Sequence, residues 1–226
     1  MFEKFIKREN DIFEILQSFI DSNLDFVLVG GYAVSAFKHR FSVDADVVVR
    51  SGDVQKFENL LSQNGFKKTI SKELENLYST VFIRYEKKND LSIYIDLLVG
   101  GMGVRQTNSS ISFEKINENS VKNKIKGLER EIIAKIPVKE LLIALKLQAG
   151  RLTDFRDIAT LIKDTDISKI KLFLKECDKN IVASNIKNLI SLLDRKEFID
   201  SFKGVFLEKK YDIDINKLKN LKYLID

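Results

Sequence analysis

One cysteine, one proline and one histidine stand in 226 residues, and no long apolar run accompanies them. The single cysteine, Cys177, excludes an internal disulfide framework and a cysteine-based zinc site. The longest apolar stretches, such as Val27–Val29 and Val47–Val49, are strand-sized, whereas a helical membrane span needs about 20 apolar residues. No membrane partner is therefore expected. The first residues, MFEKFIKREND, alternate charge with apolar side chains and do not make a signal-peptide core, so a cytoplasmic protein is expected. Low-complexity tracts are absent too, and apolar residues run throughout, which argues for a folded chain. The length suits one mixed domain or two small ones. Charge is abundant but nearly balanced: 38 basic residues against 33 acidic ones leave a formal +5. That excess permits binding to nucleic acid or nucleotide phosphates, and a solvated lysine- and glutamate-rich surface explains it equally well.

Apolar periodicity divides the chain. Phe2 to about Ser22 carries Phe5, Ile6, Ile12, Phe13, Leu16, Phe19 and Ile20 at helical spacing, and predicts an amphipathic helix. Phe26–Val29 reads as a buried strand broken by Gly30-Gly31, followed by a short helix over Tyr32–Lys38. Val43–Val49 reads as a second strand and Asp53–Asn64 as a helix stopped by Gly65. Strands are expected at Tyr78–Tyr85 and Leu91–Val99, joined as a hairpin by Asn89-Asp90, with further strands at Ile111–Ile116 and Glu131–Ile136. Pro137 sits where a helix can begin. From Val138 onward the period is helical. The expected class is α+β, with an α/β domain over residues 1–136 and a helical domain over 137–226 completing a cleft.

Two motifs carry candidate chemistry. A buried strand that ends in Gly30-Gly31 lets backbone approach a ligand closely, and amides there can hold phosphate oxygens. The same glycines also serve packing in many strand-to-helix turns. Asp44 and Asp46 lie two apart on an apolar strand, so their carboxylates share a face with Cα atoms roughly 6.5–7 Å apart. Two such aspartates repel each other and resist desolvation, and a divalent cation such as Mg2+ (or Mn2+) resolves the conflict. A solvated strand face is the plainer alternative. Asp96 comes from a separate strand whose Ile93, Ile95 and Leu97 point the other way; if the two strands are neighbours, three carboxylates converge as a two-metal displacement requires.

Gly30-Gly31, twelve intervening residues, Asp44-x-Asp46 and a later strand aspartate resemble the nucleotidyltransferase superfamily with the polymerase-beta-like fold. Gly-Gly-x-Ala at 30–33, Arg40-x-Ser42 and the block Lys146-Leu-Gln-Ala149-Gly-Arg151-Leu-Thr-Asp154-Phe-Arg156-Asp157 are similar to the AbiEii/AbiGii-type toxin branch and related minimal nucleotidyltransferases. The resemblance covers about residues 24–165. It implies a small twisted mixed sheet, with Asp44, Asp46 and Asp96 as the catalytic and metal-binding residues. It also implies that Gly30 and Gly31 hold the β- and γ-phosphates with help from Ser42 or Tyr32. Lys146 would reach the triphosphate, with Asp157 as its acidic companion. Gly31 departs from the serine frequent in the wider superfamily and offers only its amide.

The implied activity moves a nucleoside monophosphate from an NTP substrate to a hydroxyl acceptor. In the toxin branch the acceptor can be the tRNA 3′ end, and a cognate antitoxin protein is then a partner. Other small members modify antibiotics or protein hydroxyls. Lys122, Lys124, Lys126, Lys135 and Lys139 could track RNA, although Glu118, Glu129, Glu131 and Glu140 dilute that stretch. A catalytically retired nucleotide-binding or partner-binding module with the same fold is the alternative. Lys146 also reads as an exposed helical lysine with a buried stem, Asp154 and Asp157 as part of an intrahelical charge network, and His39 as a surface histidine.

Overall fold

The structure is a computed structural model that describes residues 2–73, 81–104, 109–204, 206 and 213–224. It separates into two compact units, Met1–Gly103 with Ser110–Pro137, and Val104–Ser109 with Val138–Asp226.

In the first unit, the opening helix α1 (Phe2–Asp21) buries Ile12, Phe13, Ile15, Leu16 and Phe19, as its apolar spacing dictates. Strand β1 (Phe26–Val29) is buried along its whole length. Helix α2 (Gly30–Ser35) starts directly at the glycines, earlier and shorter than periodicity implied. Strand β2 (Asp44–Val49) and helix α3 (Val54–Gln63) follow, and Gly65 leaves α3 with a φ of +83°. Strands β3 (Lys67–Glu73), β4 (Val81–Lys87) and β5 (Ile93–Val99) complete a five-stranded mixed sheet ordered β1-β2-β5-β4-β3. Strand β2 runs parallel to β5, while the β1–β2, β4–β5 and β3–β4 pairings are antiparallel. The hairpin between β4 and β5 agrees with the Asn89-Asp90 turn; residues 78–80 of the expected strand lie outside the described residues.

Short strands β6 (Gly101–Val104) and β7 (Ser109–Ser112) pair with each other. The expected strand at Ile111–Ile116 is corrected here: it ends at Ser112 and gives way to helix α4 (Phe113–Glu118). The Ser112 hydroxyl accepts the Lys115 amide at 3.3 Å, satisfying a helix-start donor. Strands β8 (Ser120–Lys126) and β9 (Glu131–Pro137) form an antiparallel hairpin packed beside β1. Pro137 closes β9, and the helix expected after it opens at Lys139 with Val138 as its N-cap.

The second unit is helical: α5 (Lys139–Ala149), α6 (Leu152–Leu161), α7 (Ile167–Phe173), α8 (Lys179–Leu193), α9 (Lys196–Asp200) and α10 (Ile215–Asn220). Helix α5 buries Leu141 through Gln148 nearly all round, so it is the centre of this unit, with α6, α7 and α8 packed on it. Ile225 lies outside the described residues. Strands in a mixed sheet followed by helices make the chain α+β. Among the described residues, no helix is long and apolar enough to cross a membrane.

Candidate active site

The sheet register builds the site. Asp46 is paired with Val29 on one side and with Asp96 on the other, and Asp96 is paired in turn with Arg84. Because strand side chains alternate, Asp44, Asp46, Asp96 and Arg84 share one face. Ala45, Val47, Ile93, Ile95 and Leu97 fill the opposite face with no exposure at all. The neighbouring strands expected for Asp46 and Asp96 are therefore β2 and β5, in parallel register.

Strand β1 delivers the two glycines that follow it, the first residues of α2, to the same row. Gly30 has a φ of +64°, and a Cβ there would stand 2.0 Å from Asp46 Oδ2. Glycine is required on both counts, since left-handed backbone is costly for other residues and the carboxylate fills the space. Gly31 is equally tight: a Cβ would meet Ser42 Oγ at 2.5 Å. Ser42 is buried, and its carbonyl accepts the Tyr32 hydroxyl at 3.5 Å. Tyr32 itself lies in the core, its ring edge-on to Phe13. Burial, followed by the charge of Glu9, pushes the Tyr32 hydroxyl well above its ordinary pKa, so it stays protonated. Nearby, the Ser35 hydroxyl holds the Arg40 carbonyl at 2.9 Å.

Arg84 is the residue that sequence reasoning missed. Its Nε donates to Asp96 Oδ1 at 2.7 Å and its Nη2 to Asp96 Oδ2 at 2.6 Å, and Nη2 reaches Asp44 Oδ2 at 3.2 Å. The guanidinium also lies 5.0 Å from the Tyr94 ring centroid. Asp96 is only 2% exposed. Burial drives its pKa upward, and the hydrogen bonds and charge of Arg84 only partly restrain that rise. The hydrogen bonds that Arg84 donates to Asp96 hold its guanidinium firmly protonated. The Asn89-Asp90 turn signal alone does not reveal this pairing: counting outward from a two-residue turn there would set Arg84 opposite Ile95, whereas the ladder closes over residues 88–92 and sets it opposite Asp96.

Asp44 and Asp46 offer hard carboxylate oxygens from one strand face, a donor set that fits a magnesium or manganese ion retaining part of its water shell. Among the described residues, no group of three or more histidine, cysteine or acidic side chains is arranged to hold a metal ion. Asp96 is engaged with Arg84 instead.

The second unit holds the other predicted residues. Lys146 is buried rather than exposed, which corrects the surface alternative. Its Nζ donates to Asp157 Oδ2 at 2.6 Å and to Asp154 Oδ1 at 3.3 Å, with both aspartates at most 2% exposed. The ion pair crosses from α5 to α6, so the cluster is not merely intrahelical. Arg151 is the residue before α6: its backbone amide donates to Asp154 Oδ2 at 3.2 Å, and its Nε donates to the same oxygen at 2.7 Å. Burial opposes ionisation of Asp154, but the Arg151 hydrogen bond and the Lys146 charge outweigh it and hold that carboxyl below its ordinary value. Elsewhere, His39 is half-buried rather than freely exposed. Its Nε2 lies 2.8 Å from buried Glu9 Oε1, and Glu9 also accepts the Leu128 amide at 2.8 Å. On the β8–β9 hairpin, Lys124 pairs with Glu131 at 2.6 Å and Lys135 with Asp25 at 2.8 Å, so two candidate RNA-tracking lysines already have acidic partners.

No family model and no curated protein matches the chain. Solved structures similar to it include the lincosamide antibiotic adenylyltransferase LnuA bound to lincomycin, with a TM-score of 0.46 and 22% identity over 70% of this chain and 98% of LnuA. A candidate nucleotidyltransferase from H. pylori gives a TM-score of 0.49 and 18% identity over 99% of this chain and 95% of its own. ANT(2")-Ia in complex with adenylyl-2"-tobramycin gives 0.49 and 12% identity over 78% and 95%.

Proposed function

We propose that the chain is a metal-dependent nucleotidyltransferase that moves a nucleoside monophosphate from an NTP to a hydroxyl acceptor and releases pyrophosphate. The observation that carries this reading is the register row: Asp46 and Asp96 in line on parallel strands, Asp44 one step along the same face, and the positive-φ Gly30 closed onto the Asp46 carboxylate. A magnesium or manganese ion held by Asp44 and Asp46 would supply charge neutralisation for the triphosphate and a lowered pKa for the acceptor hydroxyl. The Gly30-Gly31 backbone amides take the β- and γ-phosphates, with Asp46 and Ser42 packed into the space that side chains at the two glycines would need. Ser42 lines that turn, and Tyr32 supports it from the core. In-line displacement needs no covalent enzyme intermediate, so the lack of an activated serine or cysteine is no obstacle.

We take the acceptor to be an RNA hydroxyl, the tRNA 3′ end in the first instance, and the biological setting to be a toxin of the AbiEii/AbiGii type countered by an antitoxin protein. Support for this finer reading is the Gly-Gly-x-Ala and Lys146-to-Asp157 sequence pattern. Incubation with each labelled NTP, magnesium and total tRNA tests it. Label should appear on RNA for one base and disappear in Asp46→Asn. Label transfer to neither RNA nor a small hydroxylated acceptor would defeat the reading.

A second reading has its own observation. Arg84 already neutralises Asp96 and part of Asp44, which suits a nucleotide-binding module without turnover. Such a module would bind NTP in the same assay and release no pyrophosphate.

A further inference from the structure

We propose that Arg84 is the resident cation of the carboxylate face and stands where a second divalent ion would otherwise be held, so that the site operates with one ion on Asp44 and Asp46 while Asp96 serves the arginine. This inference rests on the nucleotidyltransferase reading above and refines its metal requirement.

Geometry supplies the first argument. Both Asp96 oxygens accept from Arg84, at 2.7 Å and 2.6 Å, in the forked arrangement that a guanidinium makes with a carboxylate. The side chain of Asp96 is 3% exposed, so little of it is left for a hydrated ion to approach. The pair is held from the backbone upward, because Arg84 and Asp96 are cross-strand partners in the β4–β5 ladder. Phe82 and Tyr94 flank the guanidinium at 5.7 Å and 5.0 Å from their ring centroids, which fixes its plane further.

Charge supplies the second. Arg84 Nη2 also reaches Asp44 Oδ2 at 3.2 Å, so one guanidinium bridges the carboxylates of two strands. Three ionised aspartates, one guanidinium and one divalent ion are together neutral, whereas a second divalent ion would leave an excess of two positive charges before nucleotide arrives. A magnesium ion also gives up bound water reluctantly. A preformed arginine pair requires no such dehydration, and its charge does not depend on metal supply.

Native mass spectrometry of the intact chain with manganese and α,β-methylene nucleoside triphosphates counts ions directly, without reference to turnover. The expected result is one ion per chain in the wild type, and still one in Asp96→Asn. Arg84→Gln, which exposes Asp96 to solvent cations, is expected to take up a second ion. The double variant Arg84→Gln/Asp96→Asn, which keeps polar partners and removes both charges, is expected to return to one. Two ions in the wild type, falling to one in Asp96→Asn, would overturn the inference while leaving the site on Asp44 and Asp46 intact. Loss of the single ion in Asp96→Asn, or no second ion in Arg84→Gln, would overturn it as well. Should Arg84→Gln fail to fold, the Asp96→Asn count decides alone. No ion in any form would refute the metal site itself, and the inference with it.

Discussion

Replacing Lys146 by methionine keeps an unbranched apolar stem in α5 and deletes only the ammonium, so it isolates the buried ion pair. In the folded unit that ammonium lies 2.6 Å from Asp157 Oδ2 and 3.3 Å from Asp154 Oδ1, both buried. Asp154 keeps Arg151 at 2.7 Å after the change, so Asp157 bears most of the loss. Removing one partner of a buried pair costs about 3–5 kcal/mol, because a desolvated charge is left uncompensated. The lower end applies here, about 3 kcal/mol, since one carboxylate retains its arginine. For a chain of this size about 1 kcal/mol moves Tm by about 2–4 °C, so melting should fall by about 6–12 °C. An exposed lysine would change stability by no more than about 0.5 kcal/mol. Scanning calorimetry of Lys146→Met beside Lys146→Met/Asp157→Leu makes the comparison. The double variant should recover most of the loss, because the carboxylate that faced the ammonium is gone. A single variant that melts within about 2 °C of wild type would refute the argument. Loss of nucleotidyl transfer in a double variant that melts normally would assign the Lys146–Asp157 pair to the reaction.

Asp46→Asn should fold normally and lose metal-dependent nucleotide binding by calorimetry; unchanged binding would remove Asp46 from the site. Gly30→Ala places a methyl carbon against Asp46 Oδ2 on left-handed backbone. It should lower stability by at least about 1 kcal/mol in urea titration and abolish nucleotide binding. Asp154 contributes a pH dependence of definite sign. Its native pKa is below the reference value of 3.8, so its stabilisation is complete above that value and is lost as pH falls through the lowered native one. Urea midpoints should drop across that acid range, and the drop should be shallower in Arg151→Met.

How legible each element was depended on how much of it is buried. Helix α1 and strands β1, β2, β5 and β9 stand out because their inward residues are apolar at the right period. Strand β3 is Lys-Lys-Thr-Ile-Ser-Lys-Glu, with lysines at most of its described exposed positions, and β8 alternates Lys122, Lys124 and Lys126 with Val121, Asn123 and Ile125, of which only Ile125 is buried. Neither shows the apolar alternation from which strands are read, and both exist because a neighbouring strand supplies the ladder. Pro137 stands one residue before the N-cap of the following helix and also ends β9. A proline suits a first helical turn, but it is equally compatible with the end of a strand, and only tertiary pairing with Ser120 separates the two.

The same distinction explains the site. Asp44 and Asp46 announce themselves because two acids on one face of an apolar strand conflict with their surroundings unless a cation resolves the conflict. Nothing local says which cation. Arg84 sits in β4 between Ile83 and Tyr85, where an arginine looks like ordinary outward-facing charge. Its meaning appears only when the hairpin register sets it opposite Asp96 and the parallel β2–β5 pairing brings Asp44 within its reach. Lys146 shows the converse. Its spacing among leucines allows exposure, yet α5 is buried nearly all round, so the lysine must carry its countercharges inside from α6. Isolated charges on apolar elements are therefore the informative residues of this chain, and the partner of each is set by long-range pairing rather than by its sequence neighbours.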